Sequence, residues 1–143
     1  LNICIGMGSY YEGLENLRCS YSEALQALKI GKKLVNNSSF YFIDDMGLSC
    51  LIPEINTNSA NRFQTKKLSK LLNDNNFVVL RETFIGFCDC NMSIAQTANT
   101  LFLHRNTLLY RLNKIAKLTG LDPRNFQDAI QLYTAFHIKI FLE

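Results

Sequence analysis

Apolar residues recur at intervals of three and four through the second half of the chain, and this pattern restricts its fold more than any other feature. From about residue 62 two such stripes follow one another: Phe63, Leu68, Leu71 and Leu72, then Phe77, Leu80, Phe84 and Phe87. A period near 3.6 places apolar residues on one face of a helix, whereas a half-buried strand alternates. The polar cluster Asn73–Asn76 separates the two stripes. The second half is therefore predicted to be all-α.

The first 55 residues mix strand and helix signals. Apolar runs at residues 3–5 and 40–43 predict two short strands. Between them an amphipathic helix is predicted by Leu14, Leu17, Tyr21, Ala24, Leu25 and Leu28. Ser20 and Glu23 fit a capping box, which would start that helix at Ser20. The polar stretch Pro53–Asn61 is predicted to be a linker or exposed loop.

Composition excludes several classes of protein. The chain has 143 residues, and an apolar share of 48% is enough to bury a core, so it is not disordered. No apolar run approaches the ~18 residues of a membrane span, and we expect a cytoplasmic protein. Five irregularly spaced cysteines and two histidines predict free thiols in a reducing compartment and no metal site. Because the chain opens on Leu1 in a strand-like stretch, we expect a piece of a longer protein.

Positive charge is concentrated in one helical segment. The window Cys90–Leu121 holds four Lys or Arg residues and no Asp or Glu, so its formal charge is +4. The rest of the chain sums to −1, which gives the net charge of +3. Ser93 and Gln96 fit a capping box for a short helix ending near Leu101. A second helix is predicted from Arg105 to about Leu118, ended by Gly120. Two helices joined by a brief turn predict a helix-turn-helix.

Projection at about 100° per residue gives the second helix two faces. Leu108, Leu112 and Ile115 fall together on the inward side. The candidate DNA-binding residues are Ser93, His104, Arg105, Asn106, Thr107, Tyr110, Arg111, Asn113, Lys114 and Lys117. Hydrogen-bonding side chains near the N-terminus and lysines near the C-terminus suit a recognition helix in a major groove. Any solvated helix has a similar polar face, so periodicity and charge alone leave both interpretations open.

The residues of this segment also resemble a known family. The run from His104 to Leu112 (HRNTLLYRL), followed by Leu118–Leu121 (LTGL), is similar to the C-terminal helix-turn-helix of bacterial transcription regulators of the PucR/CdaR type. Similarity continues at Glu82-Thr83-Phe84, Phe126, Asp128 and Leu132. The resemblance implies binding to a double-stranded DNA operator as a homodimer, RNA polymerase as a further partner, and neither enzymatic activity nor a cofactor. Phe102 stands where many such turns carry glycine, and its ring is expected to anchor the turn in the core.

The first part of the chain resembles the middle region of the same family. Gly6-Met7-Gly8 and the run from Ser20 to Leu28 are similar to the end of a degenerate nucleotidyl-cyclase-like (GGDEF-like) domain. The predicted fold is therefore mainly α, with a small α/β piece of this domain at 1–55, a linker and connecting helix at 56–76, and a helix-turn-helix domain at 77–143. The acidic signature of a cyclase is absent from the first piece, so a spacer or dimerisation module is expected.

Two further interpretations stay open at this point. The cyclase-like piece could be a nucleotide-sensing or cyclase-derived signalling module that acts mainly through protein–protein contacts, although Asp44 and Asp45 are adjacent and would point to opposite sides of a strand. The second interpretation is that the chain is a purely structural helical module. The Gly6-x-Gly8 pair lacks the third glycine of a dinucleotide-binding loop and is interpreted as a strand-ending turn. A last helix is predicted from about Phe126 to Leu142, buried in the core or forming a dimer contact.

Overall fold

The computed structural model describes residues 3–34 and 38–142. This part of the chain is mainly helical, with a small two-stranded parallel sheet, and the predicted fold class is confirmed. It divides into two compact units, one made of Leu1–Thr57 and His137–Glu143 and the other of Asn58–Phe136. Leu1, from which strand-like structure was expected to start, lies outside the described residues.

The first unit is built on a strand–helix–strand arrangement. Strands β1 (Ile5–Met7) and β2 (Phe40–Phe42) pair in parallel, with Ile5 opposite Phe40, and helix α1 (Leu17–Leu34) connects them. A 3-10 segment, Ile43–Glu54, follows β2 and is interrupted at Gly47. The first strand lies two residues later than predicted, over the glycine at position 6.

That glycine is required by close packing between β1 and α1. A Cβ atom on Gly6 would lie 2.1 Å from the carbonyl oxygen of Ala24, and one on Gly8 would lie 2.1 Å from that of Ser20. No side chain fits at such distances. The expectation of a strand-ending turn is wrong for Gly6, which is the central residue of β1, whereas Gly8 directly follows the strand. Both glycines let the helix backbone approach closely.

The predicted capping box at Ser20 and Glu23 is wrong. Helix α1 begins at Leu17, directly after a 3-10 turn at Leu14–Asn16, so Ser20 lies inside the helix. The Glu23 carboxylate accepts hydrogen bonds from the Ser9 backbone N–H (2.8 Å) and the Tyr11 hydroxyl (2.5 Å). These hydrogen bonds, led by that of Tyr11, hold the pKa of Glu23 below its ordinary value of 4.5. The glutamate is thus used by the preceding loop.

The second unit contains the predicted helices. They are α2 (Thr57–Leu72), α3 (Phe77–Asp89), α4 (Ile94–Thr100), α5 (Arg105–Thr119) and α6 (Phe126–Leu142), the last of which continues into the first unit. The prediction of a linker or loop over Pro53–Asn61 is wrong beyond Asn56, because α2 starts at Thr57. In its first turn only Ala60 is buried, so the sequence carries no apolar period there.

Two buried clusters hold the second unit together. The larger one joins α2, α3, α5 and α6 through Leu68, Leu71, Leu80, Phe84, Ile115, Ala129, Leu132, Ala135 and Phe136. The smaller joins α3, α4 and α5 through Phe87, Ala98, Leu108 and Leu112. Because α5 contributes to both clusters, its inward face is fixed along its length.

Candidate nucleic-acid interface

Helix α4 begins at the residue that the sequence predicted. Ser93 is its N-cap, and the Ser93 Oγ accepts a hydrogen bond from the Gln96 backbone N–H at 3.3 Å. This bond satisfies one of the free donors of the first turn. The Ser93 side chain is half-buried and serves first as a cap, while its contact with DNA stays a prediction.

The turn between α4 and α5 is a Schellman motif with phenylalanine in the glycine position. The Leu103 N–H donates to the Ala98 carbonyl at 2.8 Å and the Phe102 N–H to that of Asn99 at 3.2 Å. Phe102 has a φ of 52° and a side chain that is 96% exposed. The expectation that its ring anchors the turn in the core is therefore wrong. In this motif the residue after the left-handed one makes the apolar contact, and here that is Leu103, which is half-buried.

Helix α5 is capped at both ends. At its start, the His104 Nδ1 accepts a hydrogen bond from the Asn106 N–H at 3.2 Å. At its end, Gly120 adopts a φ of 74°, and its N–H donates to the Ala116 carbonyl at 2.8 Å. A left-handed residue in this position ends a helix, and glycine adopts it without steric cost. The predicted bounds of the helix are confirmed to within one residue.

The two faces of α5 are those that the projection predicted. Leu108, Leu112 and Ile115 are fully buried. The exposed candidates are His104, Arg105, Asn106, Thr107, Tyr110, Asn113 and Lys117. Tyr110 is 65% exposed, and with Asn113 and Lys117 it lines a shallow cleft of about 320 Å³. Helix α5 thus offers amide, hydroxyl, phenol and cationic groups to solvent along one side.

Two of the four cations in this segment are held by other parts of the second unit. The Arg111 guanidinium donates to the Thr83 hydroxyl on α3 at 2.9 Å, and Arg111 is half-buried. The Lys114 ammonium forms an ion pair with Asp74, in the turn between α2 and α3, at 2.8 Å. The hydrogen bond from Lys114 is the main reason that the pKa of Asp74 lies below its ordinary value of 3.8. Arg105 and Lys117 are the exposed cations of α5.

Sequence reasoning missed the roles of Thr83 and Asp74, which hold Arg111 and Lys114. Both lie outside the positively charged window, 28 and 40 residues from their partners. Projection of a helix gives the direction in which a side chain leaves the backbone, but not the group that a long side chain reaches. Only the packing of α3 and of its preceding turn against α5 supplies that information.

Two other kinds of site are absent from the described part of the chain. Residues 3–34 and 38–142 contain no group of three His, Cys, Asp or Glu side chains that could hold a metal ion. Among the described helices, none has both the length and the apolar character of a membrane span. The cysteines are unpaired, and burial raises the pKa of the Cys88 thiol to about 12.

Comparison with known proteins connects this geometry to a family. Residues 80–138 match the PucR C-terminal helix-turn-helix domain. The carbohydrate diacid regulator of Escherichia coli (strain K12) is 33% identical over 138 residues, which is 96% of this chain and 36% of that protein. Residues 80–138 therefore form a PucR-type helix-turn-helix domain, and the chain is similar to a regulator of the PucR/CdaR type. The family resemblance noted in the sequence is thereby confirmed.

A second curated regulator is similar over nearly the same part of the chain. The proline-responsive transcriptional activator PutR of Bacillus subtilis (strain 168) is 30% identical over 135 residues, 92% of this chain and 33% of that protein. The chain spans about a third of the length of these curated relatives. Among solved structures, a regulator of polyketide synthase expression from Bifidobacterium adolescentis is similar with a TM-score of 0.48 and 24% identity, over 88% of this chain and 52% of that one.

Proposed function

We propose that this chain is the DNA-binding part of a transcription regulator and that α5 enters the major groove of an operator. The observation that carries the proposal is the division of α5 into a buried leucine face and an exposed face of hydrogen-bonding and cationic side chains. A recognition helix needs both, because the scaffold must hold it while its polar groups meet the DNA. The match of residues 80–138 to the PucR C-terminal helix-turn-helix domain and the similarity to the carbohydrate diacid regulator support the same function.

The roles of the exposed residues follow from their position along α5. Arg105 and Asn106 lie in the first turn, where a recognition helix meets base edges, and suit guanine and adenine respectively. Thr107 and Tyr110 suit a thymine methyl group or a phosphate, and Lys117 suits a phosphate. His104 and Asn113 complete the proposed contact surface on α5.

Arg111 and Lys114 have a weaker claim to a direct contact. Each is already bound within the protein, to Thr83 and Asp74, and would have to give up that partner to reach DNA. We therefore propose that Arg111 and Lys114 act first by fixing the orientation of α5. This assignment refines the sequence prediction, which counted all four cations of the window as available to DNA.

Substitution of Arg105 tests the proposed function. A duplex of about 30 base pairs, long enough for two half-sites one turn apart, is first selected from random sequences with this chain. Arg105→Ala should weaken binding by about 1–3 kcal/mol and relax the preference at one base position. Lys117→Ala should weaken binding to all duplexes alike, and Arg62→Ala, exposed on α2, should change neither property. An equal loss on every duplex with Arg105→Ala would refute the base-reading role.

We further propose that the chain acts as a cytoplasmic homodimer without enzymatic activity and engages RNA polymerase. The α/β piece at 1–55 then serves as a spacer or dimerisation module, 56–76 as linker and connecting helix, and 77–143 as the DNA-binding domain. The proposed dimer is supported by an apolar surface on the side of the small sheet opposite α1. The four side chains there are each more than two-fifths exposed: Ile5, Met7, Phe40 and Phe42. Two copies covering such apolar surface would fit a two-fold operator.

Sedimentation measures the proposed dimer directly. The wild-type chain is expected to sediment as a dimer and Phe40→Lys as a monomer, since a charge would have to be buried in the contact. Leu51→Lys, an exposed apolar position outside the sheet, is the matched control and should leave the dimer intact. A monomeric wild-type chain would contradict this proposal.

A further inference from the structure

One residue of the second unit combines two unfavourable features. Phe102 is the most exposed large apolar side chain among the described residues, and its backbone is left-handed with a φ of 52°. A left-handed conformation brings Cβ close to the following carbonyl oxygen, so a bulky residue adopts it only at a cost in free energy. Glycine at this position would avoid both the strain and the exposed ring.

The fold itself does not require a ring at this position. The hydrogen bonds that close the turn come from the backbone N–H groups of Phe102 and Leu103, and glycine at position 102 could make the same bond. With 96% of its surface exposed, the ring contributes almost no packing. A strained residue that the surrounding structure does not use for stability indicates a function outside the fold.

The position of Phe102 indicates what the ring contacts. It lies two residues before His104, the N-cap of α5, and three before Arg105, at the end of the helix that is proposed to read bases. The surrounding window, Cys90–Leu121, contains no acidic residue, which favours a polyanion as the occupant of this surface. An apolar side chain at the edge of a major groove meets one apolar group there, the C5-methyl of thymine.

We propose that Phe102 is a specificity-determining residue that packs its ring against a thymine methyl group of the operator. This inference rests on the proposed function, because it assumes that α5 lies in the groove. The strain in the turn is then retained because glycine would stabilise the protein but lose a base contact. Such opposition between stability and binding is common at functional sites.

Phe102→Gly tests the inference, since this substitution should raise the stability of the protein and lower its affinity for DNA. The melting temperature should rise, because the strain is removed, while affinity for the selected duplex should fall by about tenfold. Phe102→Asn is a second variant, because asparagine tolerates the left-handed conformation but lacks the ring. Phe102→Tyr keeps the ring and should keep the affinity. Phe126→Ala, which removes a ring 63% exposed at the start of α6, is the control and should leave binding unchanged.

Removal of the methyl group from the DNA tests the contact itself. Each thymine of the selected duplex is replaced in turn by deoxyuridine, which lacks the C5-methyl. At one position the replacement should weaken wild-type binding severalfold and leave the affinity of Phe102→Gly unchanged, since two changes to one contact are not additive. Additive losses at every position would overturn the inference.

The remaining outcomes separate this inference from the proposed function. If the wild-type chain binds no duplex, the proposed function fails and this inference fails with it. If the wild-type chain binds and Phe102→Gly binds equally well, only the inference about Phe102 fails. If Phe102→Gly abolishes dimerisation and retains duplex affinity, the ring belongs to a contact between two copies and the thymine contact is refuted.

Discussion

Asp74 should limit the number of cations that α5 offers to DNA, and Asp74→Asn tests this directly. In the wild-type chain Asp74 neutralises Lys114 through an ion pair of 2.8 Å. The amide of asparagine carries no charge, so the substitution leaves Lys114 available to a phosphate. We therefore expect the variant to bind DNA more tightly than the wild type and with a steeper dependence on salt.

The magnitude follows from counterion release. Each phosphate that a protein neutralises adds about −0.9 to the slope of log affinity against log salt. One additional contact per chain should therefore steepen the slope by about 0.9, or by about 1.8 for a dimer. If such a contact contributes nothing at about 1 M salt, a slope of about 0.9 over a tenfold fall in salt raises the affinity about eightfold at 0.1 M for each chain.

Fluorescence anisotropy of the labelled, selected duplex between about 50 and 200 mM salt measures both quantities. Asp122→Asn is the matched control: it makes the same change in net charge, but the Asp122 carboxylate pairs with Arg124 in the loop between α5 and α6. Lys114→Ala in the wild-type background should change the slope little. If Lys114→Ala instead flattened the slope by about 0.9 per chain while Asp74→Asn had no effect, Lys114 would already contact phosphate and the reasoning would be refuted.

Three other perturbations have defined outcomes. Leu112→Ala should lower the free energy of unfolding in urea by about 2–5 kcal/mol, because the side chain is fully buried, and a loss below about 1 kcal/mol would contradict its role as the support of α5. Gly6→Ala should destabilise the first unit, since its Cβ would lie 2.1 Å from a helix carbonyl oxygen, and an unchanged melting temperature would show that the strand and helix can separate freely. Because Lys114 lowers the pKa of Asp74 in the folded protein, their ion pair should stabilise the fold fully above pH 3.8, the ordinary pKa of the carboxyl group. This stabilisation should be lost as the pH falls through the lower pKa of the folded state. NMR titration of the Asp74 carboxyl group measures that pKa, and a midpoint at or above 3.8 would contradict the prediction.

Local signals explain what could be predicted of the fold and of the candidate site. The bounds of α4 and α5 depend on Ser93 and Gly120, whose effects act within one helical turn. The buried face of α5 depends on a period of 3.6, which is a property of the helix alone. Such features are encoded over a few residues, so the sequence was sufficient to predict them.

Features that depend on distant partners could not be predicted. Glu23 has the spacing of a capping residue, yet its carboxylate binds the loop at Ser9 and Tyr11, which the fold brings to it. Phe102 has the character of a core residue, but the geometry of the turn leaves its ring in solvent. In both cases the residue type was compatible with two environments, and only tertiary structure decided between them.

The central claim is that the exposed face of α5 is the surface that binds operator DNA. Titration of the ¹⁵N-labelled chain with the selected duplex measures this directly, because the amide signals of residues at the interface shift. Shifts should concentrate at Arg105–Thr107, Tyr110, Asn113 and Lys117, while those of Val78 and Ile130, exposed on α3 and α6, should stay in place. Shifts at Val78 and Ile130 with an unperturbed α5 would contradict the claim.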